Sequence, residues 1–162
     1  MKILIAYGTR YGTTEKCAGI LSGILKEKIY DVELVNLKKN KRVSPEDYDL
    51  IAVGGSFLMG QMNANVRKFA ESNLDKLLNK KTALFMCGAE EEWEKEMEKG
   101  FPEKLLEKAA AKGYFGYELI LDKMNPIYRG IIQKVEKTTE SISKINHENI
   151  EKFAEDIEKA LA

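Results

Sequence analysis

The chain has 162 residues, 44% of them hydrophobic, and its 26 Lys and Arg balance 26 Asp and Glu. That length suits one domain over residues 1–162 with a full core, and the even charge offers no basic face for general nucleic-acid binding. No apolar run approaches the ~20 residues needed to span a bilayer, no signal peptide precedes the first strand, and Cys17 and Cys87, each inside an apolar pattern, read as reduced thiols of a cytoplasmic protein.

The first element is an apolar strand, Ile3 to Tyr7. The loop Tyr7-Gly8-Thr9-Arg10-Tyr11-Gly12-Thr13-Thr14 follows. A helix comes next, with Cys17, Ile20, Leu21, Ile24 and Leu25 on one face. A hydroxyl- and glycine-rich turn between strand and helix aims N–H and O–H groups at one spot, at the positive end of the helix. Such a turn suits a phosphate. Thr9, Thr13 and Thr14 offer hydroxyls, Gly12 permits close backbone approach, and Arg10 either adds charge or faces solvent. The loop lacks the closing Gly-Lys-Ser/Thr of a Walker loop and the three spaced glycines of a dinucleotide fingerprint.

Asp31 to Leu37 reads as a second strand, with the mixed pattern of a sheet edge, and Leu50 to Gly54 as a third, fully apolar one. The stretch Gly54-Gly55-Ser56-Phe57-Leu58-Met59-Gly60-Gln61-Met62 reads as a loop beside the first. It either folds Phe57 and Met59 into the core or forms an apolar slot for a ring. Val66, Phe69, Ala70, Leu74, Leu77 and Leu78 make one helical face, and Ala83 to Cys87 a fourth strand. A third loop, Cys87-Gly88-Ala89-Glu90-Glu91-Glu92-Trp93-Glu94, carries the single Trp, which either covers a ligand face or packs on its neighbours. Cys87 reads as a buried apolar residue, with no His beside it to activate the thiol. Pro102 starts a helix that Gly113 ends, and Tyr117 to Leu121 is the fifth strand.

An insertion then occupies about 122–145. Ile127, Ile131, Ile132 and Val135 form a helical stripe flanked by Arg129 and Lys134, followed by a polar connection from Lys137 to Ser143. The stripe either packs on the sheet edge or faces a substrate, a redox partner or a membrane surface. His147 lies at the start of a last helix whose face is Ile150, Phe153, Ala154, Ile157 and Leu161.

Continuous apolar strands between amphipathic helices predict an α/β three-layer fold around a doubly wound parallel sheet. Five strands fit the order 2-1-3-4-5, with the ligand at the strands' carboxyl ends. A phosphorelay receiver shares that order but needs an acidic pair after strand one and an Asp ending strand three. Here those positions read Tyr7-Gly8-Thr9 and Gly54-Gly55.

With these three loops the whole chain resembles the flavodoxin superfamily. Its phosphate loop has the form Ser/Thr-x-Thr-Gly-x-Thr and holds flavin mononucleotide (FMN). Within the superfamily it is most similar to the menaquinone-dependent protoporphyrinogen oxidase family, through Thr9-Arg10-Tyr11-Gly12-Thr13-Thr14 and Gly55-Ser56-Phe57-Leu58-Met59-Gly60. The segment with Tyr128-Arg129 resembles that family's extra piece after strand five. The resemblance implies FMN held by Thr9, Arg10, Tyr11, Gly12, Thr13 and Thr14. The ring would lie by Ser56, Phe57, Leu58, Met59, Gly60, Gln61, Cys87, Gly88, Ala89 and Trp93. It implies an electron-transfer flavoprotein or an FMN-dependent oxidoreductase, with a redox protein or a quinone as partner. A flavodoxin-like binding module without cofactor is the alternative.

Overall fold

Strands that are apolar on both faces need a layer on each side, and this chain supplies both. The computed structural model describes residues 1–137 and 139–162. Strand β1 (Lys2–Gly8) leads into helix α1 (Thr13–Glu27), which returns the chain to β2 (Asp31–Asn36). Next come β3 (Leu50–Leu58), β4 (Gln61–Met62), α2 (Ala64–Ser72), α3 (Leu74–Leu78) and β5 (Lys81–Cys87). Helices α4 (Trp93–Gly100) and α5 (Glu103–Lys108) precede β6 (Ala111–Tyr114). Strand β7 (Gly116–Leu119), helix α6 (Pro126–Glu136), β8 (Ile142–Ile145) and α7 (His147–Leu161) complete the chain.

The five parallel strands run β2-β1-β3-β5-β6, which is the expected 2-1-3-4-5 order. Alternate residues feed two cores. Ile3, Ile5, Ala52 and Phe85 face α1 and α7, with Leu21, Phe153 and Ile157. Leu4, Ile51, Val53 and Leu84 face α2 to α5, with Val66, Phe69 and Leu105. Each fully buried side chain of this size is worth about 1.5–3 kcal/mol, so these two layers hold the sheet that positions the loops.

Several local expectations are corrected. Strand three does not end at Gly54. It runs on to Leu58 and turns back through Met59 and Gly60 into β4, with Phe57 opposite Met62. Met59 and Gly60 both have positive φ, 50° and 77°, as a two-residue hairpin turn demands. The single helix expected through Val66 to Leu78 is two, parted at Asn73. The helix after Pro102, expected to end at Gly113, stops at Lys108, and Ala111 to Tyr114 is the fifth sheet strand, paired with β5. Its inward residues are small because Phe115 and Phe153 fill the space over Gly113.

Tyr117 to Leu121 therefore lies outside the main sheet. Residues Gly116 to Leu119 pair antiparallel with β8 as a separate ribbon, with Gly116 opposite Ile145. The insertion is the far part of this ribbon. Of the polar connection, Thr138 lies outside the described residues, and Ile142 and Ser143 belong to β8. The Ile stripe does not pack on the sheet edge. Ile127 is 79% exposed, Ile131 45% and Val135 67%, and only Ile132 packs inward. Among the described residues no helix is long and apolar enough to cross a membrane.

Candidate functional site

The site begins where β1 gives way to α1. Gly12 is the residue before the helix and has φ +98°, a conformation that glycine adopts without strain. Its N–H donates to Thr9 Oγ1 at 2.9 Å, which folds the loop back on itself. The Lys16 N–H donates to the Gly12 carbonyl at 3.1 Å and closes the first helical turn. The N–H groups of Thr13, Thr14 and Glu15 precede that bond and have no acceptor within the helix. No side chain caps α1.

Thr14 is fully buried, and among the described residues its Oγ1 meets only the Cys87 sulfur and has no oxygen or nitrogen partner. A buried hydroxyl left unpaired costs about 1–3 kcal/mol. Native proteins rarely leave one so without a reason. Thr14 lines a half-open niche of about 60 Å³, with Thr9, Thr13, Ser56, Cys87 and Gly88 among the other walls. That is room for a phosphate-sized group and far less than a drug-sized ligand needs. Two larger clefts, about 520 and 840 Å³, share Arg10 and Leu58 with the niche. The first runs past Gln61 toward Arg67, and the second lies between Met59 and Ile131.

The third loop reaches the niche through Cys87, Gly88 and Ala89. Tyr114 Oη donates to the Gly88 carbonyl at 2.5 Å, and the Gly88 N–H donates to the Gly116 carbonyl at 3.0 Å. A Cβ on Gly88 would stand 2.6 Å from the Phe57 carbonyl oxygen, so a side chain there would force the two loops apart. Cys87 and Cys17 are both buried free thiols. Hydrogen bonding with Cys17, and then burial, pushes the Cys87 thiol well up, so it stays protonated at neutral pH and is no nucleophile.

Of the site residues named from sequence, Met59 and Gln61 line the larger clefts, and Phe57, Gly60 and Trp93 line neither these nor the niche. Trp93 stacks on Tyr114, centroids 5.9 Å apart, within the second core. Phe57 is 1% exposed in that same core. Gly60 sits at the exposed hairpin tip with nothing within 4 Å of an added Cβ. Arg10 lies over the Tyr11 ring, 5.5 Å from its centroid, and its Nε donates to Tyr11 Oη at 3.3 Å.

Sequence reasoning missed one whole wall. Tyr117, Glu118 and Leu119 from β7, with Met124, Tyr128 and Ile132 from the segment beyond, line the niche. Tyr128 stacks on Tyr11 at 5.9 Å between centroids, and burial pushes its phenol above the usual range. Leu119, Leu121 and Met124 form a third, small core beneath these rings. Glu118 brings a carboxylate to the niche, its side chain 8% exposed, and Lys16 pairs with it at 3.3 Å. The signal for this wall was absent from local pattern, because an extended apolar stretch reads alike in either sheet.

A family model described as "Flavodoxin domain" matches residues 4–146. The protoporphyrinogen IX dehydrogenase [quinone] of Escherichia coli (strain K12) is 27% identical over 85 residues. That stretch covers 52% of this chain and 47% of the relative, so the match spans about half its length. Among solved structures, the chain is similar to flavodoxin 1 from Bacillus cereus, with a TM-score of 0.59 at 19% identity and full coverage of both chains. It is also similar to the flavodoxin of Streptococcus pneumonia TIGR4, with a TM-score of 0.61 at 19% identity and 99% coverage of each. The chain belongs to the flavodoxin domain family.

Proposed function

We propose that this flavodoxin-domain protein binds FMN by its phosphate in the niche at the start of α1 and moves electrons between redox partners. The observation that carries the reading is the buried Thr14 hydroxyl, without an oxygen or nitrogen partner, at a helix start whose first N–H groups also lack acceptors. A phosphate oxygen satisfies both at once. Thr9 and Thr13 add hydroxyls, and Gly12 keeps the approach open.

Bound FMN supplies the electron-carrying chemistry itself. The protein's part is to hold and orient. Ser56, Leu58, Gly88 and Ala89 line the same niche and would meet the edge of the ring. Leu58 and Met59 give the larger cleft an apolar side next to the niche. None of the niche residues is placed as a dedicated acid or base, so the residues named here act by binding and shielding.

Titrating FMN against the purified protein tests the reading, with loss of flavin fluorescence expected. Flavin released from protein as isolated is expected to run as FMN on chromatography, because the niche is the size of one phosphate. Release of FAD would overturn that assignment. A colourless protein that leaves FMN fluorescence unchanged would favour a binding module without cofactor.

The exposed face of α6 favours a second element of the proposal. Ile127, Ile131 and Val135 are uncovered, beside a cleft that reaches Arg10. Such a face suits an apolar electron acceptor such as a quinone, or a redox protein. The quinone-linked name of the Escherichia coli relative agrees with this. Ile131→Glu is expected to leave FMN affinity within about twofold while slowing electron delivery to the acceptor. Reduction of a small soluble dye serves as the control. Loss of FMN or unfolding in that variant would mean that Ile131 serves packing.

A further inference from the structure

Around the niche, the cations read from the first helix and its loop are already engaged. The Arg10 guanidinium lies over the Tyr11 ring, and Lys16 is tied to Glu118. A phosphate monoester carries roughly −1.5 to −2 charges near neutral pH. It would enter a niche that already holds the Glu118 carboxylate. With Lys16 committed to balancing Glu118, the hydroxyls and N–H dipoles would face the dianion without a cation of their own.

One cation remains. A Cβ built on Gly12 would find Lys123 Nζ at 3.6 Å and no other heavy atom within 4 Å outside its own neighbours. The ammonium therefore stands over the residue before α1, next to the loop whose Thr9, Thr13 and Thr14 line the niche. Among the described residues Lys123 makes no ion pair.

Its placement is built in. Lys123 ends a tight turn, Leu121–Lys123, in which its N–H donates to Ile120 O at 3.0 Å and that of Met124 to Leu121 O at 3.1 Å. Leu121 and Met124, on either side, are 5% and 6% exposed in the third core. The Leu121 N–H also donates to Ser141 Oγ at 3.2 Å, which ties the turn to the approach to β8.

We propose that Lys123 is a phosphate-binding residue, a cation brought from the segment after β7 to neutralise the dianion beside Glu118. The proposal rests on the FMN reading above. It names a contact to the phosphate that the loop itself does not supply, from a segment distant in sequence.

The test titrates FMN and riboflavin, which lacks the phosphate, against wild type, Lys123→Met and Lys123→Arg, each at low and at physiological salt. Circular dichroism confirms that the variants are folded. Because the ammonium is solvent-exposed and screened, Lys123→Met is expected to raise the FMN dissociation constant about three- to tenfold. Riboflavin binding is expected to stay unchanged, and Lys123→Arg to retain most of the affinity. Wild-type FMN binding should weaken with salt more steeply than that of Lys123→Met. Equal FMN affinity and equal salt dependence in wild type and Lys123→Met would overturn the role of Lys123 while leaving FMN binding intact. Equal losses for FMN and riboflavin would mean that Lys123 only shapes the turn, which also overturns it. Wild type that binds neither flavin would remove the underlying reading, and the assignment of Lys123 with it.

Discussion

Thr14→Val is expected to weaken FMN about ten- to a hundredfold, from the 1.5–3 kcal/mol of a hydrogen bond to a charged group at 1.4 kcal/mol per decade. Valine keeps the shape and the β-branch and removes only the hydroxyl. In the free protein that hydroxyl has no protein partner beyond the Cys87 sulfur, so its removal breaks no strong bond of the fold. The free variant is therefore expected to be as stable as wild type or more stable, by up to about 1 kcal/mol. Riboflavin binding should change little. Affinity and stability move in opposite directions, which no packing role produces. Fluorescence titration with both flavins, beside denaturant unfolding of the free protein, reads the two. A variant that loses stability and binds both flavins equally worse would show that Thr14 serves the fold.

The second large effect is expected at Gly116. Its φ of +82° is one that side chains rarely adopt, and an added Cβ would be driven into the Lys144 carbonyl oxygen. That oxygen belongs to the backbone of β8 and cannot turn aside as a side chain would. Strain at such a position costs about 1–3 kcal/mol, and the backbone collision adds to it. Gly116→Ala is expected to lower stability by about 3 kcal/mol in all, at the upper end for point substitutions. For a chain of this size that is a fall of roughly 6–12 °C in Tm. FMN affinity should fall as well, because Gly116 is the bend that sends β7 along the niche. Its carbonyl also accepts from Gly88. Thermal unfolding within about 1 °C of wild type would show that the ribbon shifts at no cost.

How much was legible follows from where each signal resides. The phosphate loop is local, with its hydroxyls, Gly12 and the flanking strand and helix all within a short stretch, and the structure assembles them at one spot. The order of the strands was legible because a strand covered on both faces must be apolar throughout, as in Ile3 to Ala6 and Ala83 to Met86. Strand β6 was hidden because its inward residues are Ala111 and Gly113. They are small to make room for Phe115 and Phe153, and small residues before a glycine read as a helix end. The wall from β7 was hidden for another reason. Alternation marks Tyr117 to Leu119 as extended but says nothing of which strand it pairs with. The positions of Tyr128 and Lys123 follow from that pairing. A lysine in a chain rich in them carries no sign of its own.

Among the described residues the apolar interior is divided into three parts, and the third consists of Leu119, Leu121 and Met124 with the rings and side chains around them. Helix α6 has no buried residue of its own. Segments with so little burial open at a free energy well below that of global unfolding. The wall beside the niche can thus come away while the sheet and its two large cores stay intact. How firmly this protein is folded and how firmly its binding site is shut are set by different residues. A substitution at Met124 is expected to change how fast a ligand enters and leaves more than it changes the melting temperature, while one at Phe153 does the reverse.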